Sequence, residues 1–300
     1  MSPRQYDQNI ITLALVKFAG VNPRTLDFLL RSFGSWEELL KVEPAELSAI
    51  NGISKGTARR ISQTGQSLEK AAEYVNSLKK RDIKINTRFD IDYPSALIEI
   101  NDPPPLLYNR GKFPLNGIKC IALIGTHNPT QPGLALTTKL AKILIAQNVQ
   151  VISSLSRGID MAVHLACKAA GSYSFAIIES GIDHIAGEVE VPLAIDIAGS
   201  GGIIGEYAPE ETFREKHFKE CNRLIAGMAQ AVVVTEFHQD ATRVRDILEY
   251  CHQIGKLSFI LIDPEFSDLT DEASLAEAIK WGAIPMKGLQ KVGHIIKSLV

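Results

Sequence analysis

The chain has no long apolar run, no paired cysteines and no excess of positive charge, and each absence removes a class of function. No stretch approaches the roughly 20 apolar residues that cross a bilayer, and no charged-then-apolar leader opens the sequence. The expectation is a soluble, cytoplasmic chain without a membrane partner. Its four cysteines, Cys120, Cys167, Cys221 and Cys251, lie far apart with no CxxC pair, which argues against disulfides and structural zinc. Lysine and arginine number 32 against 34 acidic residues, a net charge of −2, so any polyanion site must be a local patch. The seven histidines form no HExxH, and no serine sits in GxSxG. His164 therefore reads as a core-edge or capping histidine. No metal, cofactor or catalytic residue is expected, and the chain is read as a non-enzyme.

What is present falls into two halves. Three hundred residues, 45% hydrophobic, suffice for roughly two domains. Residues 8–80 carry helical periodicity only and repeat one pattern, AGVNPRTLDFLL from Ala19 and NGISKGTARRI from Asn51, each a glycine turn that opens a helix. The second copy has helix-hairpin-helix spacing. Its turn, with Gly52, Ser54, Lys55 and Arg59, can offer N–H groups and charge to a DNA phosphate, Arg60 adding a further cation. Equally, the glycines can serve only the tight turn while Ile50, Ile53 and Ile61 fill a small core. A proline-rich passage, YPSALIEINDPPPLLYNRG, reads as an extended connector. The boundaries expected are a helical domain over 1–84, a connector over 85–117 and a third segment over 118–300.

From Ile118 onward, apolar strands alternate with amphipathic helical stretches: CIALIG, VQVISSL, SFAIIES, GGIIGEY, AVVVTEF and LSFILID. That alternation predicts a Rossmann-like α/β fold, a doubly wound, mostly parallel sheet. Its first strand-to-helix turn, GTHNPTQPG from Gly125, matches neither GxGxxG nor GxxxxGK[ST], which argues against a dinucleotide or Mg-nucleotide site. Two other stretches point elsewhere. In SSLSRGIDMAVHLACKAAG, an apolar strand gives way to Arg157, Gly158 and Asp160 where a helix begins, the usual place for an anion in such a sheet. In FREKHFKECNRLIAGM, Lys216, His217, Lys219 and Arg223 interleave with Phe213 and Phe218, a composition suited to a single-strand groove or to a solvated basic helix face.

Together these segments resemble the DprA/Smf DNA-processing family. Gly125-Thr126, Ser156-Arg157-Gly158-Ile159-Asp160, Gly181-Ile182-Asp183, Gly201-Gly202 before Glu206-Tyr207, and His217-Phe218 with Asn222-Arg223-Leu224-Ile225-Ala226-Gly227 occur in the family's order. The resemblance covers roughly residues 10–262. It implies a SAM or helix-hairpin-helix domain before a Rossmann-like domain that binds single-stranded DNA, self-association as a homodimer, and loading of a RecA-type recombinase onto DNA protected during natural transformation. Carried across, Arg157 holds a phosphate at the pocket floor and Asp160 caps the helix and orients it. Lys216 and Phe218 border the strand, and Asn222 and Arg223 form the wall.

Three positions depart from the family. His127 stands where an arginine is usual, Cys221 replaces the first arginine of an RNR run, and Lys219 replaces a proline. The glycine- and serine-rich turn before the next helix reads HQDATR, and Lys219 and Arg243 are candidate replacement cations. The segment AIPMKGLQKVGHIIKSLV is expected to leave no room for the winged-helix domain of some relatives. The competing reading is a protein similar to the LOG nucleoside-phosphate hydrolases, which would bind a nucleoside monophosphate through Gly201-Gly202 and Glu206, although the full PGGxGTxxE motif is absent.

Overall fold

The computed structural model describes residues 6–238 and 241–299, so Gln239 and Asp240 of the HQDATR turn lie outside the described residues. The chain divides into two compact units, one of residues 1–93 with 101–108, the other of residues 94–100 with 109–300.

The first unit contains α1 (Gln8–Leu13), which runs on as a π turn, then α2 (Pro23–Phe33), α3 (Trp36–Leu39), α4 (Pro44–Ala49), α5 (Lys55–Ser62) and α6 (Leu68–Lys79). The repeated pattern becomes a repeated cap. Asn22 accepts the Thr25 N–H ahead of α2, and Ser54 accepts the Thr57 N–H ahead of α5, each satisfying a donor the helix start leaves free. Gly20 and Gly52 turn the chain at φ +66° and +88°, which non-glycine residues rarely adopt. Arg60 ties the two hairpins together, its Nε donating to the Ala19 carbonyl at 2.8 Å. Leu15, Leu29, Trp36, Leu39, Leu47 and Ile61 are buried beneath, and Ile53 joins them while Ile50 is half-buried. β1 (Lys84–Thr87) closes this run, and β2 (Leu106–Gly111) carries the chain from one unit into the other.

In the second unit, α7 (Ser95–Ile98) precedes seven strands: β3 (Cys120–Ile124), β4 (Gln150–Ser154), β5 (Phe175–Ile177), β6 (Gly202–Gly205), β7 (Ala231–Val234), β8 (Leu257–Ile262) and β9 (Ile284–Lys287). They lie in the order β6-β5-β4-β3-β7-β8-β9. Every adjacent pair is parallel, for example Ile121 on Ala231 and Ile152 on Phe175. Strand order reverses at β3, the place where ligands sit in open α/β sheets. The crossover helices are α8 (Gln131–Ala146), α9 (Ile159–Ala169), α10 (Glu190–Ser200), α11 (Glu215–Met228), α12 (Thr242–Gln253) and α13 (Glu272–Lys280), and α14 (Val292–Ser298) follows β9. Leu140 and Leu144 of α8 and Val163 of α9 share one core with Ile121, Leu123 and Val151 of the sheet.

The six apolar strands read from the sequence are β3 to β8; β9, inside AIPMKG, was not among them. Its Pro285 lacks the donor an interior strand needs, and β9 stands at the sheet's edge. All four cysteines are free and buried, and burial pushes the thiols of Cys167 and Cys251 up to about 12. Among the described residues, no helix is long and apolar enough to cross a membrane.

Candidate nucleic-acid interface

At the strand reversal, three loops lock together through their backbones. The Ile159 N–H donates to the Thr126 carbonyl at 3.1 Å, and the Thr126 N–H donates to the Glu236 carbonyl at 3.1 Å. Gly158 sits at φ +87°, and a Cβ there would come within 2.4 Å of the Thr126 carbonyl oxygen, so the β4–α9 loop approaches the β3–α8 loop more closely than any side chain allows. The N-terminus of α8 is already occupied by an anion. Both carboxylate oxygens of fully buried Glu236, at the β7 exit, accept the Thr130 N–H at 3.0 and 3.1 Å, and His238 Nε2 lies 3.1 Å from one of them. A Cβ at Gly133 would meet that carboxylate. The protein's own carboxylate thus fills the position a nucleotide phosphate takes in other folds of this kind.

Beside it lies a buried charge cluster. Asp160 accepts the Gly125 N–H at 3.3 Å and the Ser154 hydroxyl at 2.5 Å. Burial pushes its carboxyl above the usual range, and the Arg243 guanidinium opposes that rise. Arg243, only 2% exposed, pairs with Glu179 at 2.6 Å, donates to Ser156 Oγ at 2.5 Å, reaches Cys221 Sγ at 3.5 Å and stands 4.0 Å from Asp160. Its guanidinium carbon lies 4.9 Å from the centre of the Phe218 ring, a cation–π contact. His164, behind Asp160 on α9, is held by the Ser174 hydroxyl and the Ser154 carbonyl, both at 2.8 Å.

The residues expected from sequence to bind phosphate occupy two kinds of place. Arg157 is 79% exposed on the rim, not on a pocket floor, and its Nε pairs with Glu190 at 2.9 Å. Asp160 therefore faces Arg243 and not Arg157. Lys216 and Lys219 are exposed on α11 and Phe218 is half-buried between them. Gly125, Thr126, His217, Asn222 and Arg223 are all buried. His217 stacks on Tyr207 with ring centres 3.6 Å apart, and Arg223 binds both oxygens of Glu206 at 2.7 and 2.9 Å. A cleft of about 240 Å³ is lined by Ser156, Glu179, His184, Glu190 and Phe213, and a second of about 120 Å³ by Gly125, Thr126, His127, Asn128, Thr242 and Arg243. In the first unit, Gly52, Ser54, Lys55 and Arg59 are all exposed at the second hairpin.

Sequence reasoning missed Glu179 and Glu236 and left Arg243 without a place. The available signal was the departure of HQDATR from the family's pattern. The residues that suggested a nucleoside-phosphate site are engaged otherwise. A Cβ at Gly201 would meet the Ser174 carbonyl and one at Gly202 the Lys112 carbonyl, so these glycines permit close packing of backbones. Glu206 is the partner of Arg223.

Residues 84–283 match the model of the DNA recombination-mediator protein A family. The chain belongs to that family. Residues 12–64 match a SAM-like helix-hairpin-helix tandem. Among its family relatives, the chain is 29% identical over 228 residues to protein Smf of Synechocystis, covering 75% of this chain and 57% of that protein. It is 32% identical over 146 residues to the DNA processing protein DprA of Bacillus subtilis, covering 48% of this chain and 49% of the relative. The matched stretch thus spans about half the length of the curated relatives. The crystal structure of DNA processing protein A from Streptococcus pneumoniae superposes with a TM-score of 0.80 at 22% identity, covering 96% of this chain and 98% of that one. DNA processing protein A from Helicobacter pylori, a protein with a described single-stranded DNA binding mode, gives a TM-score of 0.62 at 22% identity over 72% of this chain and 97% of that one. Both share the fold.

Proposed function

We propose that the protein binds single-stranded DNA across the carboxyl edge of its parallel sheet, protects it, and delivers it to a RecA-type recombinase in natural transformation and recombination. The observation that carries this reading is the set of exposed cations on the two elements that Arg243 joins: Arg157 follows Ser156, which Arg243 holds, and Lys216 and Lys219 lie on α11 with the half-buried Phe218, whose ring Arg243 covers. Cations of that kind hold phosphates while a ring face accepts a base, a sequence-tolerant mode of strand binding. Gly125, Thr126, Gly158 and Asp160 shape the loops beneath, His217 and Arg223 fix α11, and Asn222 is buried on the same helix. Family membership supports the same reading. The protein acts by binding and not by catalysis, as a cytoplasmic homodimer. Gly52, Ser54, Lys55 and Arg59 form a secondary phosphate contact on the helix-hairpin-helix.

Fluorescence anisotropy with oligo-dT, its duplex with oligo-dA, and nucleoside monophosphates as competitors tests the proposal. The expected result is preference for the single strand, unaffected by millimolar nucleotide. Equal affinity for strand and duplex would overturn it.

A further inference from the structure

We propose that Arg243 is the positioning residue of the strand site: from α12 its guanidinium fixes Phe218 of α11 and the Ser156–Arg157 loop relative to each other, doing so in place of an arginine at position 221. This rests on the strand-binding reading above.

The guanidinium stands between the two elements that reading places on DNA. One Nη donates to Ser156 Oγ and pairs with Glu179, fixing the backbone immediately before Arg157. The other Nη reaches the Cys221 sulfur, and the guanidinium carbon lies over the Phe218 ring, one turn from Cys221 on the same helix. The charges facing it are Glu179 at 2.6 Å and Asp160 at 4.0 Å, so a cation here offsets two carboxylates that burial would otherwise disfavour. A lysine brings the charge but not the planar fork, and cannot hold hydroxyl, carboxylate and sulfur together.

Position 221 explains why the cation comes from α12. Cys221 is 1% exposed, and its Sγ lies 3.5 Å from Arg243 Nη2. An arginine at 221 would extend three bonds beyond its γ atom before its guanidinium carbon, which brings that group into the space Arg243 now fills. A thiol at 221 and an arginine at 243 are thus complementary, and a second guanidinium would not fit beside the first.

Three variants of the full chain test this: Arg243→Lys, Arg243→Gly, and the exchange Cys221→Arg with Arg243→Gly. Each is measured for thermal midpoint, oligo-dT affinity and the dependence of that affinity on salt. Arg243 is buried with its guanidinium engaged by Glu179, Ser156 and Cys221, so on this proposal Arg243→Lys should bind about tenfold more weakly, the scale of losing charge-assisted contacts, with an unchanged salt slope. The exchange should recover the midpoint and most of the affinity lost in Arg243→Gly. Wild-type affinity in Arg243→Lys overturns the proposal, as does a salt slope lowered by about 0.7 in Arg243→Gly, which removes the charge, since that is the mark of a direct phosphate ligand. An exchange variant that does not fold, or that binds no better than Arg243→Gly, overturns it too. If the wild-type chain binds no oligo-dT, the strand-binding reading fails by itself, and recovery of the midpoint by the exchange still decides whether position 221 can supply the guanidinium.

Discussion

Arg157 Nε and Glu190 Oε1 stand 2.9 Å apart, the arginine almost wholly in solvent and the glutamate side chain 12% exposed at the start of α10. The Arg157 hydrogen bond holds the Glu190 carboxyl below its usual range. On the proposed reading, a carboxylate rests where a strand's phosphate would bind. Arg157→Ala should weaken oligo-dT binding roughly tenfold and lower the salt slope by about 0.7. Its thermal midpoint should stay within about 2 °C, because exposed pairs add little stability. Glu190→Gln keeps the shape and removes the competing charge. Binding should tighten by about threefold, most clearly at low salt. Titrations of both variants on one oligonucleotide check this, and an unfolded Arg157→Ala would assign that residue to structure instead.

His164 gives the fold an acid limit. Burial lowers its pKa to about 4, whereas the unfolded chain protonates it near 6.5. Because the folded value is depressed, its contribution is complete above pH 6.5 and is lost as pH falls from there through about 4, amounting to roughly 3 kcal/mol. Urea unfolding at pH 7, 5.5 and 4.5 should show that decline. In His164→Asn the decline over the same window should flatten.

The parallel sheet was legible because each of β3 to β8 is a short apolar run, and a strand buried on both faces needs nothing else. The helical hairpins were legible from the repeated glycine turns in AGVNPRTLDFLL and NGISKGTARRI, a local signal, whereas the caps at Asn22 and Ser54 emerged with the structure. Arg243 was not. In HQDATR a charged residue reads as solvated loop, and its burial depends on Ser156, Glu179 and Cys221, up to 87 positions away. Glu236 was hidden for the same reason: a glutamate after AVVV reads as a strand end, and only the fold brings it to Thr130. Arg157 was found by its motif but not by its depth.

Two of the exposed cations of the second hairpin, Lys55 and Arg59, allow a direct test of its role. Lys55→Ala and Arg59→Ala each lower the slope of log K against log salt by about 0.7 if the side chain meets a phosphate. An unchanged slope in both would make the hairpin a scaffold or partner-docking module. Arg60 is a poor probe, since its loss also removes the bond to Ala19.

Gly158→Ala combines a left-handed φ with a Cβ 2.4 Å from the Thr126 carbonyl oxygen. Destabilisation of roughly 2 kcal/mol or more is expected from strain and displacement together. A chemical denaturation midpoint near that of the wild type would show that the two loops can separate at little cost.

The bonds that join the Thr126, Ile159 and Glu236 backbones bear on how a ligand is met. They are made in the unbound chain between buried or closely packed groups, so these amides should exchange with deuterium only through larger openings. Among the described residues, a ligand arriving here finds the Thr126, Ile159 and Glu236 segments already joined. The entropy lost on association then falls mainly on the ligand, and for a flexible polynucleotide that loss grows with every residue immobilised. Affinity should therefore rise with oligonucleotide length only until the rim is spanned, and then level off.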